Sequence, residues 1–230
     1  MGTIPPPVTG ERAAIFIDAG YWAALLREYF GEPRVSYEAL PGALGQGIPI
    51  LRTYWYDCLP FLPSHPSAQD IARHQAKEKF LNRLQDLEGW TISKGHLRRR
   101  YISFKAQRDP GGGQRYSTDG LPMYEKCRTT RDAADGCLLT FTQKGVDIAF
   151  AGDLITLAAT RQITDAILVT GDNDFLQPVE RAKSLHGVRV TLWYHQTSHN
   201  EELRKAADRR RTIDQAFIDS LRIATTRAAG

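Results

Sequence analysis

Hydrophobic positions along the first part of the chain change from a continuous run to a helical spacing. Residues 13–17 (AAIFI) form an apolar run that ends at Asp18, and apolar residues then recur at three- and four-residue intervals as far as Phe30. This pattern predicts a strand, a turn and a helix. β-Branched and aromatic residues at 50–57 predict a second strand, and an amphipathic pattern at 67–87 predicts a second helix.

The same alternation is more regular in the second half of the chain. Apolar runs predict strands at 165–170 (DAILVT) and 188–194 (VRVTLWY), and helical spacing predicts helices at 144–161, 173–186 and, in the tail, roughly 199–207 and 212–221. Near-continuous apolar strands separated by helices indicate a parallel sheet covered on both faces. We therefore predict an α/β, Rossmann-like fold.

The middle of the chain has a different character. Residues 90–105 (WTISKGHLRRRYISFK) predict one strand, or two strands joined by a turn at Lys94-Gly95. The stretch 107–122 contains three consecutive glycines and few apolar residues, which predicts a mobile loop. Trp55, Trp90 and Trp193 lie in strand patterns, and we expect them in the core.

Charge is distributed in local clusters. Apolar residues make up 42 % of the chain, as in ordinary globular proteins, and the net charge is only +4. Between Lys94 and Arg108, however, there are six basic residues and no acidic one, and a second cluster from Arg204 to Arg211 is interrupted only by Asp208. Such clusters favour a polyanionic partner, because neutralising phosphates releases counterions. A solvated basic face is an equally good interpretation of either cluster alone.

Several classes of protein are disfavoured by composition. The three cysteines are widely spaced and form no CxxC pair, which argues against a zinc site or a disulfide framework and fits a reducing compartment. The first residues (MGTIPPPVTGER) lack the apolar core of a secretory signal. No apolar run approaches the roughly 20 residues that span a bilayer. We therefore expect a cytoplasmic protein.

Aspartates follow the predicted strands at the positions where open α/β sheets bind ligands, outside the carboxyl ends of the strands. Asp18 follows the first apolar run, Asp172 and Asp174 follow the run at 165–170, and Asp147 lies in the first turn of the helix at 144–161. If that helix begins at the same edge, the four carboxylates converge. Such a cluster stays ionised mainly by holding a cation, and its oxygen ligands suit Mg²⁺ or Mn²⁺. Each aspartate alone is also explained as a helix cap, a dipole partner or a turn former.

Three blocks of the sequence carry a resemblance to a known family. IFIDAGY, KGVDIAFAGDLI and ILVTGDNDFLQPVERAKSLHGVRVTLW closely resemble the signature blocks of NYN domains of the LabA-like family, in the PIN-like nuclease superfamily. SHNEELRKAADR resembles the family's C-terminal element. The resemblance spans about 180 residues. It implies a parallel sheet between helices and an aspartate cluster that holds one or two divalent ions.

The resemblance carries over to particular aspartates. Asp18, Asp147, Asp172 and Asp174 match motif positions, and Asp153 matches a further recurrent acid of the family. Asp147 and Asp153 are six residues apart, about 240° around a helix, so they cannot share a face. We therefore predict that Asp153 supports the ligands or packs, and that the other four hold the metal.

The first block also departs from the family pattern. It usually reads Asp-x-x-Asn, and here Tyr21 occupies the asparagine position. In relatives that asparagine would orient a metal-bound water or a ligand. The replacement therefore bears on metal affinity, on substrate choice and on whether the protein is fully active.

The family pattern also suggests a division of the chain. The segment at about 58–143 exceeds what a minimal domain needs, and we interpret it as a family-specific insertion that carries the basic strand and the glycine-rich loop. Its apolar content permits a homodimer contact. We accordingly expect a disordered lead at 1–10, an NYN/PIN-like nuclease domain at 11–198 and a C-terminal helical segment at 199–230.

These observations together predict an enzyme. We expect a metal-dependent nuclease, an endoribonuclease, that hydrolyses RNA phosphodiester bonds with the four aspartates and Mg²⁺ or Mn²⁺. The basic residues expected to contact RNA are Arg98, Arg99, Arg100, Lys105 and Lys144. Two histidines after the last strand, His195 and His199, lie close to the expected edge and are weaker candidates for substrate contact.

Three alternatives differ in the features they need. A catalytically weak RNA-binding or regulatory module is kept open by Tyr21. A phosphatase on a similar sheet commonly needs Asp-x-Asp after the first strand, and Asp18-Ala19-Gly20 lacks the second acid. A dinucleotide oxidoreductase needs a Gly-x-Gly-x-x-Gly turn there, which is absent from the sequence.

Overall fold

The protein is described by a computed structural model that covers residues 10–63, 65–103, 107–117, 123 and 137–223, with the backbone alone for 98–103 and 137–144. It contains two compact units, one within Met1–Gly95 and Gly145–Gly230 and the other within His96–Lys144.

The first unit is built on a parallel sheet of six strands. They are β1 (Ala13–Asp18), β2 (Ile50–Cys58), the first part of β3 (Trp90–Ser103), β5 (Asp165–Val169), β6 (Arg189–Tyr194) and β7 (Arg209–Thr212). Their order across the sheet is β3-β2-β1-β5-β6-β7, and every neighbouring pair is parallel. The predicted α/β fold with a parallel sheet flanked by helices is therefore confirmed.

Helices connect these strands. They are α1 (Ala19–Tyr29), α2 (Leu40–Gly45), α3 (Ala68–Gln85), α4 (Val146–Ala159), α5 (Leu176–His186), α6 (Glu201–Ala206) and α7 (Gln215–Leu221), and a 3₁₀ turn at Asn173–Phe175 precedes α5. None of the helices in the described part of the chain combines the length and the apolar character of a membrane-spanning segment.

Strand β1 lies in the middle of the sheet and is buried on both faces. All five residues of its apolar run have no exposed surface. On one face Ile15 and Ile17 belong to a core cluster with side chains of α1, α2, α3 and α7. On the other face the ring of Phe16 packs 5.6 Å from that of Phe150 in α4. The predicted core tryptophans Trp55, Trp90 and Trp193 are buried as well.

The second unit contains an antiparallel pair of strands. The later part of β3 pairs with β4 (Cys137–Lys144), from His96 opposite Lys144 to Ser103 opposite Cys137. Near the glycine-rich stretch, the Asp109 carboxylate accepts hydrogen bonds from the backbone of Gly111 and Gly113, at 2.9 and 2.8 Å. The segment predicted as one strand or two is a single strand, β3.

Three elements were not predicted. Strand β7 consists of three arginines and a threonine, so it offers no apolar signal; it lies at the end of the sheet order and pairs with β6 alone. Helix α2 is six residues long and contains a proline and two glycines. Strand β4 (CLLTFTQK) does contain an apolar run, which was a usable signal.

Candidate active site at the carboxyl edge of the sheet

The adjacent strands β1 and β5 end side by side, and a threonine connects their ends. Thr170 follows β5 and is fully buried. Its hydroxyl donates to Asp18 Oδ2 at 3.3 Å and accepts from the backbone nitrogen of Asp172 at 3.2 Å. One side chain therefore orients both the carboxylate at the end of β1 and the loop that follows β5.

Asp18 is the last residue of β1 and caps α1 by accepting a hydrogen bond from the Tyr21 backbone nitrogen at 3.1 Å. Burial raises the pKa of its carboxyl, hydrogen bonds from the backbone of Tyr21 and Gly20 and from Thr170 oppose that rise, and the Asp147 carboxylate adds to it. Asp18 is thus a poorly hydrated anion with a second anion in electrostatic reach, and a cation would relieve both penalties.

Asp147 approaches from α4. This helix begins after Gly145, which has a φ of +89° that favours glycine, and Asp147 lies exposed in its first turn. The charge of Asp147 adds to the rise in the pKa of Asp18 that burial causes.

Asp172 and Asp174 follow β5. The Asp172 carboxylate accepts from the backbone nitrogen of Asp174 at 2.9 Å and so caps the 3₁₀ turn. Both residues are exposed, but only Asp172 lines the cleft described next. Neighbouring Asn173 donates to Glu202 of α6 at 3.3 Å.

A cleft of about 640 Å³ opens at this edge. Asp18 and Asp172 line it together with Thr197, Ser198 and His199, which follow β6. The remaining lining residues are Gly20, Tyr21, Ala24, Gly171 and Asn173. Sequence analysis missed Thr170, Thr197 and Ser198; the position of Thr170 directly before Gly171-Asp172 was the only signal for any of them.

The side chain of Tyr21 reaches from α1 to the segment after β6. Its hydroxyl accepts from the backbone nitrogen of His195 at 2.9 Å and donates to the carbonyl oxygen of Ser198. Burial raises the pKa of the Tyr21 hydroxyl to about 12, so it remains a donor at neutral pH. A Cβ atom at Gly171 would lie 2.7 Å from the Tyr21 ring, so the ring fits because position 171 is glycine. Tyr21 therefore connects α1 to the segment after β6 through its hydroxyl group.

Asp153 makes a different contact. Its carboxylate accepts a hydrogen bond of 2.9 Å from the Tyr56 hydroxyl of β2. Burial, and then the Asp153 charge, raise the pKa of Tyr56. The contact gives Asp153 a partner on the sheet beside Asp18, which pairs with Tyr56 in register, but Asp153 itself does not line the cleft.

The basic residues divide into two groups. The side chains of Arg98, Arg99, Arg100 and Lys144, and the whole of Lys105, lie outside the described residues. In the second cluster, Arg204 pairs with Glu201 at 2.8 Å, Arg209 lies 3.5 Å from Asp165, and Arg211 donates to Gln46 at 2.8 Å. Part of that cluster therefore serves contacts within the protein.

The donor chemistry at the edge fits a divalent cation, although the acids are not drawn together into a ligand cage. No three acidic, histidine or cysteine side chains in the described part of the chain are close enough to hold an ion. The fit rests on the carboxylate of Asp18, which burial and Asp147 destabilise as an anion, and on the oxygen ligands nearby, which suit Mg²⁺ or Mn²⁺.

Comparisons with known proteins bear on the family and the fold. The model of one family, the NYN domain, matches residues 12–214. None of the curated proteins compared with the chain matches it. Among solved structures, a protein of unknown function from Vibrio parahaemolyticus is similar, with a TM-score of 0.51 and 20 % identity over 90 % of this chain and 96 % of that one. At that identity the likeness shows the fold alone.

Proposed function

The chain belongs to the NYN domain family, a PIN-like nuclease fold, and we propose that it is a divalent-metal-dependent ribonuclease that cuts RNA internally at the cleft between Asp18 and Asp172. We also propose that it belongs to the LabA-like group, on the strength of its three sequence blocks. The observation that carries the proposal is the partly buried carboxylate of Asp18 at the edge where the cleft opens, with its pKa raised by burial and further by Asp147.

In this proposal Asp18, Asp147, Asp172 and Asp174 hold Mg²⁺ or Mn²⁺. The ion would supply a Lewis acid for the phosphate and an activated water, so that cleavage leaves a 5′-phosphate and a 3′-hydroxyl. Asp18 supplies the least hydrated ligand. Thr170 fixes one of its oxygens through the 3.3 Å hydrogen bond. A second hydrogen bond, from the backbone nitrogen of Asp172 to the same hydroxyl, holds the Asp172 backbone beside Asp18. An aspartate that does not ligate could accept a proton as a general base.

The RNA strand needs cationic contacts beside this acidic edge. We propose that Arg98, Arg99, Arg100, Lys105 and Lys144 supply them, because the first four belong to a basic run without an acidic residue and Lys144 lies close to Asp147 in the sequence. Tyr101 lies within the same run and offers a stacking surface for bases.

A cleavage assay tests the proposal. Purified protein is incubated with labelled single-stranded RNA, structured RNA and DNA in Mn²⁺, Mg²⁺ or EDTA, beside Asp18→Asn and Asp172→Asn. Asp86→Asn is the matched control, because Asp86 follows α3 on the side of the sheet where β3 begins, away from the cleft.

The expected result is metal-dependent cleavage of RNA that EDTA and both cleft variants abolish and that Asp86→Asn leaves unchanged. Equal activity in the cleft variants would show that the site is misplaced. Binding of RNA without cleavage in either metal would instead support a regulatory module, and Tyr21→Asn would then be the first variant to test for restored activity.

A further inference from the structure

His199 lines the same cleft as Asp18 and Asp172, and hydrogen bonds to both of its ring nitrogens hold it in place. Its Nδ1 lies 3.1 Å from the carbonyl oxygen of His195, which can only accept. Its Nε2 lies 3.2 Å from a carboxylate oxygen of Glu201. Arg204, and then His199, lower the pKa of Glu201 to about 2, so this partner also only accepts. Both contacts are therefore satisfied when both ring nitrogens donate, as they do in the imidazolium form of histidine.

The negative charge of Glu201 is neutralised by a residue other than His199. Arg204 donates to both of its carboxylate oxygens, at 3.2 Å from Nε and 2.8 Å from Nη2. Its side chain is 55 % exposed, whereas that of His199 is 16 % exposed. An incoming anion can therefore replace Glu201 at Nε2 of His199 while Arg204 keeps the carboxylate neutralised.

Tyr21 holds the segment that carries His199. Its hydroxyl is bonded to both His195 and Ser198, on either side of the turn that precedes His199. The ring of His195 is further held by stacking on Tyr29, with centroids 3.9 Å apart. The position of His199 relative to α1, which Asp18 caps, is thereby set by hydrogen bonds and ring packing.

We propose that His199 binds a phosphate of the RNA strand in the cleft and that Tyr21 is the residue that positions it. The inference rests on the ribonuclease function proposed above and adds a group that contacts substrate in the cleft that Asp18 and Asp172 line. Acidic side chains alone would repel RNA, and an imidazolium group in the same cleft offsets that repulsion. Because histidine donates from both ring nitrogens only in its protonated form, we expect the contact to weaken as pH rises.

The pH dependence has to be separated from the other titrating groups around His199. Burial, and then the charge of His199, lower the pKa of His195. The further ionisable groups on the elements around it are Tyr194, Glu201 and Arg204, and those that line the same cleft are Asp18, Tyr21 and Asp172. A variant that changes His199 alone isolates its contribution.

The experiment measures the Kd of a fluorescein-labelled single-stranded RNA by anisotropy in EDTA, across a salt series and from about pH 6 to pH 8, the range in which histidine side chains in general change charge. His199→Gln is the main variant, with His199→Asn as a second choice should the first unfold. Tyr21→Phe tests the positioning role. His186→Gln is the matched control, because His186 ends α5 on the side where β6 begins, away from the cleft.

We expect His199→Gln to raise Kd about tenfold at the lower pH, as loss of a charge-assisted hydrogen bond does. It should also make Kd nearly independent of pH and reduce the slope of log Kd against log salt by about 0.7, which corresponds to one phosphate contact on a single strand. Tyr21→Phe should raise Kd about threefold, less than loss of the charge, with the salt slope retained. His186→Gln should match the wild type.

A salt slope and a pH dependence of His199→Gln equal to those of the wild type would overturn the inference. The cleavage assay distinguishes this from failure of the proposed function. If the wild type cleaves RNA and His199→Gln binds it unchanged, the ribonuclease stands and the phosphate contact is wrong. If the wild type binds through His199 but does not cleave with any metal, the contact stands and the ribonuclease is wrong.

Discussion

The hydroxyl of Thr170 donates a 3.3 Å hydrogen bond to the carboxylate of Asp18, so the end of β5 orients the end of β1. The same oxygen accepts from the backbone of Asp172 at 3.2 Å. Thr170→Val keeps the shape of the side chain and removes both interactions. We expect a loss of about 1–3 kcal/mol in the free energy of unfolding, since a buried donor and acceptor lose their partner.

Cleavage of RNA by Thr170→Val should also fall, because the Asp18 carboxylate loses its fixed orientation. Thr170→Ser retains the hydroxyl and is the control; it should keep most of the activity. Urea unfolding and the cleavage assay measure the two effects. Full activity in Thr170→Val would contradict the orienting role.

Asp18 should lower the stability of the metal-free protein at neutral pH. Its pKa in the folded state is raised above 3.8 by burial and by Asp147, so the folded chain binds more protons than the unfolded chain between pH 3.8 and the raised value. The free energy of unfolding therefore falls as pH rises through that window, and the full cost is present above it. Asp18→Asn removes the charge, and asparagine caps helices about as well as aspartate.

We therefore expect Asp18→Asn in EDTA to be more stable than the wild type at pH 7, with the difference disappearing below pH 3.8. Mn²⁺ at about 100 times its Kd should stabilise the wild type by about 2.7 kcal/mol and leave the variant largely unchanged. Denaturant unfolding over a pH series checks both statements. A variant less stable than the wild type at pH 7 without metal would contradict them.

Much of the fold could be predicted from the sequence, because the buried parallel strands are apolar throughout and the helices between them keep a helical spacing. The run AAIFI is fully buried in the middle of the sheet, as its composition predicts. Strand β7 could not be predicted in this way. Its backbone pairs with β6 at the end of the sheet, but its residues are three arginines and a threonine, so no apolar side chain marks it in the sequence.

Less of the candidate site could be predicted from the sequence. Asp18 and Asp172 could be placed at one edge because the ends of neighbouring parallel strands meet there. The contacts of Tyr21 with His195 and Ser198 join residues more than 170 positions apart, and no local pattern encodes them. The roles of individual aspartates stay predictions until the cleavage assay is done.

The contribution of a buried ion pair to stability can be tested at the carboxylate of Asp57. It accepts from Trp55 Nε1 at 2.8 Å and pairs with Lys77 at 2.6 Å, and the side chains of Asp57 and Lys77 are 6 % and 27 % exposed. Lys77→Met leaves the carboxylate buried without its cation. We expect a loss of about 2–3 kcal/mol, below the ~3–5 kcal/mol of a fully buried pair because Lys77 is partly solvated.

The double variant Lys77→Met with Asp57→Asn should recover part of that loss, because the unpaired charge is gone. Urea unfolding of the two single variants and the double variant measures the coupling. Equal stabilities of Lys77→Met and the wild type would mean that the ion pair contributes nothing.

Gly171 and Tyr21 should be energetically coupled. A Cβ at Gly171 would lie 2.7 Å from the Tyr21 ring and 3.3 Å from the Ser198 carbonyl oxygen. We expect Gly171→Ala to cost about 1–3 kcal/mol through overpacking. In a Tyr21→Asn background the ring is absent and the cost should shrink, with a coupling energy of about 0.5–3 kcal/mol.

Gly152→Ala is the matched control for this cycle. Gly152 lies within α4, and a Cβ there would meet no atom within 4 Å, so alanine should stabilise the helix by about 0.5–1 kcal/mol. Thermal or urea unfolding measures all the variants. Additive effects of Gly171→Ala and Tyr21→Asn would show that the two positions are independent.

The close fit of Tyr21 against Gly171 also restricts how such a cleft can change during evolution. A larger residue at position 171 is tolerated only after the ring at position 21 has been lost, whereas loss of the ring first leaves glycine acceptable. The order of the two substitutions is therefore constrained. Lineages that keep an aromatic residue at the first position should keep glycine at the second, and variation at the second should follow smaller residues at the first.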